Sequence, residues 1–396
     1  MLLVVTVLVV AANLRPAITG VGPLIEQIGA DTGLSPAVLG LLGSVPVLSF
    51  AVVSPLVQRA SVRWGMERTV FFSLLLLAGG TVLRSLAEYL ALPAEAPLFV
   101  GTVLLSVAIG VGNVLVPAVV KRDFPDRVPQ MTGLYTAVLV GSAAGSSGLA
   151  VPLAAGIGWE LTLGSSAVLA LLTAALWTLR LRHRQPESGD WPSTDPAPGA
   201  RTPPVSAPSI WRSAVAWQVT LYFGLQSAIF YTMLTWFPAV QTHHGIGEAS
   251  AGWWLAVYQA VGMVASLLVG QIMQRRADHR LVACALGVMM GVGILGMGIL
   301  PDLMPLWALL AGFASGSSLM ASLTLISVRA PSPERAGQLS GMAQGVGYLL
   351  AAGGPVAAGA VFQALGSWTP VLVGVALVGF LQGLFGLLAG RDVRTR

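Results

Sequence analysis

The 396-residue chain is 55% hydrophobic and only 9% charged, too few charges to clothe a water-exposed surface, which excludes an ordinary soluble domain and makes lipid the solvent. Lys and Arg outnumber Asp and Glu by 21 to 16, a net charge of +5. The cations are scattered over short loops and build no long basic face, so nucleic acid is excluded as a partner.

In chain order, apolar runs punctuated by Gly, Pro and charge predict membrane helices near 2–27, 36–57, 69–90, 97–120, 130–154 and 160–181, then 213–239, 249–273, 281–300, 304–328, 339–363 and 369–390. The apolar opening has no basic n-region and continues past Arg15 to about Ile28; it reads as the first membrane helix rather than a cleaved leader. The 47 Gly and 25 Pro are compatible with this, because membrane bundles use small residues for close contact and re-satisfy the backbone around proline. Cys284 is the single cysteine and stands in an apolar stretch, where it reads as a small packed side chain with no disulfide partner.

Between the sixth and seventh helices, residues 182–212 carry seven prolines with Ser, Asp and Arg, a composition that cannot bury enough apolar surface to order itself. The expected organisation is therefore a six-helix bundle over 1–181, a cytoplasmic linker over 182–212, a second six-helix bundle over 213–390 and a short tail over 391–396. With the N-terminus inside, every Lys and Arg except Arg15 and Arg84 falls in an inner segment, while Glu88, Glu95, Glu248 and Asp302 lie on the outer side. That distribution follows the positive-inside rule and puts both termini in the cytoplasm of a cell-membrane protein.

The halves also repeat. At an offset of 208 residues, Pro125, Arg127, Gln130 and Gly133 face Pro333, Arg335, Gln338 and Gly341, and Lys121 faces Arg329. Both loops are cytoplasmic and run in the same direction, so the repeat is parallel, about an axis along the membrane normal, as in the two halves of a major facilitator transporter. Arg63-Trp64-Gly65 with Arg68, after the second helix, retains part of that superfamily's Gly-rich basic loop, and its acidic member is missing. The fold expected is an all-α membrane protein of twelve transmembrane helices in two pseudo-symmetric six-helix bundles.

Four further segments carry a narrower likeness. Asn13-Leu14-Arg15-Pro16-Ala17-Ile18, Gly112-Asn113-Val114-Leu115-Val116-Pro117 with Lys121-Arg122-Asp123-Phe124-Pro125, Gln226-Ser227 with Tyr231, and Gly341-Met342-Ala343-Gln344 with Gly347-Tyr348 together resemble the cyanate and 2-nitroimidazole transporters of the major facilitator superfamily. The resemblance covers nearly the whole chain and implies a secondary transporter for a small anion or small polar nitrogen compound. It makes proton coupling plausible and leaves the substrate open.

Among the residues, Arg15 stands near the middle of the first helix, where a cation must face a cavity or a partner. Its planar guanidinium suits a carboxylate, nitrate or cyanate, so it is the first candidate for the substrate's electron-rich end. The competing reading is a structural arginine bound to helix carbonyls or to Glu26. Asn13 and Asn113 are candidate amide donors, with helix anchoring as the alternative. In the second half the candidates are Gln226, Tyr231, Tyr258, Gln259, Gln344 and Tyr348; Gln344 and Tyr348 share a face at i and i+4. Arg63, Arg68, Arg127 and Arg335 are candidate gate residues on the inner face. Arg84 reads as structural, snorkelling or paired with Glu88 at i+4. Ser315, Ser317 and Ser318 beside Gly312 and Gly316 read as close packing.

Enzyme chemistry finds no constellation. The single lysine, Lys121, lacks the Gly-rich lead of a P-loop. His243-His244 with Glu248 is too small a set for a metal site and reads as a solvated loop. The expectation is a monomer with no cofactor, with the bilayer, a small substrate and protons as its partners.

Overall fold

The computed structural model describes residues 2–86, 93, 95–183, 209–275 and 278–393, and among these every regular element is helical. Fourteen α-helices follow in order: α1 (Leu2–Asn13), α2 (Pro16–Thr19), α3 (Val21–Thr32), α4 (Pro36–Trp64), α5 (Met66–Ser85), α6 (Glu95–Asp123), α7 (Val128–Gly164), α8 (Ser166–His183), α9 (Ala214–His243), α10 (Glu248–Gln274), α11 (Arg280–Ile299), α12 (Met304–Arg329), α13 (Pro333–Leu365) and α14 (Trp368–Ala389). Helices α1, α2 and α3 together make the first transmembrane segment. The others make one each, so the count is twelve. Ten spans are long and apolar enough to cross a bilayer by themselves, and α8 is a shorter apolar helix. The remaining helix, α9, is 30 residues long and carries polar residues along its length.

Two boundaries differ from the sequence reading. The first segment is not one helix over 2–27: it breaks at Arg15 and again at Gly20, and continues to Thr32. Proline disfavours helical geometry in the residue before it and has no N–H to continue the ladder, and Arg15 accordingly leaves the helix at φ −125°, ψ −40°. The second difference lies in α7, where Gly158 at φ +81° ends the fifth segment and redirects the chain into the sixth. Only glycine takes that conformation without strain. Most of the linker lies outside the described residues.

Packing obeys a two-fold exchange. Helix α4 packs on α13 and α7 on α10, which are the contacts between halves; within the halves, α5 on α8 is mirrored by α11 on α14, and α4 on α6 by α10 on α12. Renumbering the six segments of one half as those of the other converts each pair into its mate. Small residues permit the closest crossings: a Cβ on Gly262 would lie 2.9 Å from Gly312 O, and one on Gly312 would lie 2.6 Å from Tyr258 O. In lipid such backbone approach replaces the hydrophobic effect as the source of helix association.

The chain starts and ends on one face, here the terminal face. On the opposite, far face the halves are joined: Gln27 Nε2 donates to Glu248 Oε2 at 2.7 Å, Thr242 Oγ1 to Glu26 Oε2 at 2.7 Å and the Ala37 amide to Gln363 Oε1 at 3.3 Å. Deeper in, Ser44 Oγ donates to Ala352 O at 2.5 Å, Gln259 Nε2 donates to Ser147 Oγ at 3.0 Å, and the Phe50 and Tyr348 rings meet edge to face at 6.5 Å. Towards the terminal face, Gly133 and Gly141 of α7 and Gly337, Gly341 and Gly345 of α13 would have open space about a Cβ. The halves therefore close on the far face and part towards the terminal face.

Candidate functional site

The break in the first segment positions Arg15. Its carbonyl accepts the Ile18 and Thr19 amides at 2.9 Å each, which starts α2 and frees the side chain from the helix groove. Three hydrogen bonds from α7 and its neighbours hold the break: Ser146 Oγ donates to Pro16 O at 2.9 Å, Ser147 Oγ to Thr19 O at 3.1 Å and Thr19 Oγ1 to Ala143 O at 3.1 Å. From α5, Arg84 Nη1 donates to Ala17 O at 2.6 Å. The Arg15 Nη1 atom is enclosed and has no hydrogen-bond partner. Glu26, its alternative partner in the sequence reading, is instead bonded to Thr242.

Tyr348 of α13 is within electrostatic reach of both the Arg15 guanidinium and Tyr231 of α9. Tyr348 also packs edge to face on Phe223 at 5.4 Å and on Phe50, so one aromatic residue links both halves where they begin to part. One turn nearer the terminal face, Gln344 is half-buried and donates to Ser340 Oγ at 2.8 Å. Asn113 is half-buried on α6, next to Gly112, whose missing side chain admits Leu14 beside the break. Of the sequence candidates, Arg15, Asn113, Gln344 and Tyr348 are half-buried and Tyr231 is buried.

The other candidates are engaged elsewhere. Asn13 gives its amide hydrogens to Val9 O at 2.7 Å and Thr173 Oγ1 at 2.8 Å, which ties α1 to α8 in the manner of the helix-anchoring alternative. Gln259 is likewise a cross-half bond to Ser147, not a free cavity amide. Gln226 is buried and accepts from Ser227 Oγ at 3.2 Å. The Tyr258 hydroxyl is buried against Ser315 without a well-formed hydrogen bond. Because α9 is continuous through this region, Gln226 and Tyr231 project from different faces.

On the terminal face, Arg63, Arg68 and Arg127 are exposed, and Arg335 Nη1 donates to Gln338 Oε1 on its own helix at 3.1 Å. The buried charges there are different residues. Arg122 bonds Glu67 Oε1 at 2.5 Å and Asp123 Oδ1 at 2.9 Å, and Arg180 pairs with Asp123 and lies 4.7 Å above the Trp177 ring. Arg122 and Asp123 belong to a segment that carries the family resemblance, but nothing in the sequence marked these four charges as a buried cluster, because each stands at a helix end where a loop charge looks the same. Arg84 is structural but does not snorkel: it is buried at 1% exposure, and Glu88, its other expected partner, lies outside the described residues.

Comparison with known proteins gives the family. The Major Facilitator Superfamily profile matches residues 7–355. The chain is 39% identical to the 2-nitroimidazole transporter of Escherichia coli (strain K12), covering 100% of this chain and 96% of that protein. It is 30% identical to the cyanate transport protein CynX of the same organism, over 92% and 91%. Among solved structures, a bacterial homologue of the human lysosomal transporter Spinster superimposes with a TM-score of 0.78 at 15% identity, covering 99% and 96%, and a D-xylose–proton symporter with 0.77 at 15%, covering 98% and 97%. The chain is a multi-pass membrane transporter, not an enzyme, and it belongs to the major facilitator superfamily, in the family of the cyanate and 2-nitroimidazole transporters.

Proposed function

We propose that this protein is a secondary active transporter of the cell membrane that moves a small anion or small polar nitrogen compound by alternating access, with both termini cytoplasmic. The observation that carries the reading is the enclosed, unpartnered Arg15 Nη1 at a break in the first segment. An intramembrane guanidinium without a protein acceptor is costly, by at least about 2.5 kcal/mol at mid-bilayer, and is kept where a ligand supplies the acceptor. Cyanate, nitrite, carboxylate and nitro groups all present the electron-rich, planar end that a guanidinium fork binds. The names of the two relatives, a 2-nitroimidazole and a cyanate transporter, fit that class.

Tyr231, Tyr348 and Gln344 then complete the site from the second half, and Asn113 from the first. The far-face bonds act as the closed gate. Polar contacts between membrane helices contribute about 0.6 kcal/mol each on average, so the gate can open without a large driving force. In the opposite state the terminal face closes, and Arg63, Arg68, Arg127 and Arg335 meet the facing half. Protons are the proposed coupling ion, and one chain carries the whole path.

Counterflow in proteoliposomes, with cyanate, nitrite, benzoate and 2-nitroimidazole as substrates under varied pH gradients, tests the reading. Arg15→Lys is expected to weaken the affinity for the transported substrate about tenfold or more, since a point charge cannot reproduce a bidentate fork. Unchanged affinity would falsify the assignment. Flux without saturation or counterflow would make the protein a channel. Charge reversal at Arg127 or Arg335 is expected to slow turnover with little change in affinity, and unchanged kinetics would remove both from the gate.

A further inference from the structure

Arg84 is the second cation inside the bilayer span, and only its Nη1, which supports the break beside Arg15, has a part in the proposed substrate site. It is buried at 1% exposure, and only Nη1 has an acceptor, Ala17 O; Nε and Nη2 are enclosed with no hydrogen-bond partner. The side chain lines a small, partly open cavity. Every other lining residue is uncharged, and the polar side chains among them are Thr102 of α6 and Thr235 of α9. Both hydroxyls now donate back along their own helices, to Leu98 O at 2.7 Å and Tyr231 O at 2.9 Å, and either can turn towards the cavity. Among the described residues no carboxylate pairs with Arg84. A buried guanidinium with two of its nitrogens unpartnered is stabilised by an added acceptor or counter-charge, and the small space favours a monatomic one.

We propose that Arg84, Thr102 and Thr235 enclose a second anion site, separate from the one at Arg15, which takes a monovalent halide-sized ion and holds it as a structural counter-ion. The cavity is built from both halves. Leu234 and Thr235 of the second half cover it where the glycines Gly22 of α3 and Gly43 of α4 let α9 approach. Parting of the halves on the far face removes that cover. The ion therefore binds the state described here and favours it over the state open to the far face, by ordinary linkage.

Heat unfolding of the purified wild type in detergent tests this, with sodium bromide titrated against sodium gluconate at constant ionic strength. The midpoint is expected to rise with bromide and to saturate. The shift should persist in Arg15→Met and in Glu88→Gln, and vanish in Arg84→Met. A wild type indifferent to bromide overturns the proposal. So does a shift that Arg84→Met keeps, or one that Arg15→Met alone abolishes, which would place the ion at the substrate site. If Arg84→Met does not fold, bromide-soaked wild-type crystals decide by anomalous scattering: a peak beside Arg84 Nε and Nη2 supports the site, and none at saturating bromide overturns it. Linkage to conformation is read from a Gln27→Cys/Glu248→Cys pair across the far face. Bromide is expected to speed its disulfide cross-linking, and an unchanged rate overturns the coupling to the closed state.

Discussion

The two halves share a scaffold and solve the same electrostatic problem differently on the terminal face. In the first half, buried guanidinium groups meet carboxylates: Arg122 and Arg180 with Glu67 and Asp123, closed by the Trp177 Nε1 bond to Glu67 O at 3.0 Å. In the second half, Arg329 is buried on dipoles, donating to Ala389 O at 3.0 Å and Gly390 O at 2.9 Å, with His279 Nδ1 at 3.0 Å and Asp392 at 3.4 Å on the rim. His279 Nε2 faces Met273 O at 3.1 Å, so Nε2 carries the hydrogen and Nδ1 accepts from Arg329. The repeat aligns Arg329 with Lys121, yet Lys121 is exposed and Arg122 beside it takes the buried place. A repeat preserves the crossing of helices, while the means of neutralising a helix-end charge is free to diverge.

The largest effect expected is in the first half. Asp123→Asn leaves the buried Arg180 with only its longer contact to Glu67 Oε1 at 3.5 Å and should cost about 3 kcal/mol, the low end for a broken buried pair, whereas the double change Asp123→Asn with Arg180→Met should recover most of it, because removing both charges also removes their desolvation. Heat unfolding in detergent measures both, and additive losses would show that the two residues are not coupled. In the second half Arg329→Met removes charge-assisted bonds to carbonyls and should cost about 1.5–3 kcal/mol. If it equals Asp123→Asn, the contrast between the halves fails. His279→Phe, which deletes one acceptor and leaves the two carbonyls in place, should cost about 1 kcal/mol; a larger loss would make the imidazole the main support of Arg329.

The smallest effect belongs to the exposed Asp278–Arg280 pair, at 2.7 Å with half-exposed side chains. Hydrogen bonds from the Arg280 side chain and amide lower the Asp278 carboxyl to about 2. A depressed carboxyl contributes stability above its unfolded value, and that contribution is lost as the pH falls from the ordinary 3.8 towards 2. Asp278→Asn should therefore lower the unfolding midpoint only slightly at neutral pH, where the exposed pair contributes little, and that difference from the wild type should vanish as the pH falls through the acidic window. A difference that persists unchanged below the window would show that the carboxyl's charge is not its cause.

Much of this architecture was legible in the residues. Hydropathy counts segments because each must be about twenty apolar residues long, and the 208-residue offset of Pro125–Gly133 and Pro333–Gly341 identified a parallel repeat before any contact was known. Arg15 stood out because a cation amid apolar residues is conspicuous in any alphabet. Its depth was read on a straight helix, and the break that frees it depends on Pro16 acting together with Ser146, Ser147 and Arg84 from distant helices. Asn13 and Gln259 looked like Asn113 and Gln344 in sequence, since an amide that anchors a helix and one that faces a cavity have the same local pattern. What separates them is the rotation of each helix against its neighbours. That rotation is set by backbone approach at glycines such as Gly262, Gly312 and Gly22, a property of pairs of surfaces. The sequence by itself thus determined the number, direction and repeat of the segments, because these follow from transfer into lipid residue by residue. Only the tertiary structure decided which polar atoms remain unpartnered, Arg15 Nη1 and the Arg84 Nε and Nη2 among them, because a hydrogen bond is lost or made by contacts between helices far apart in the chain.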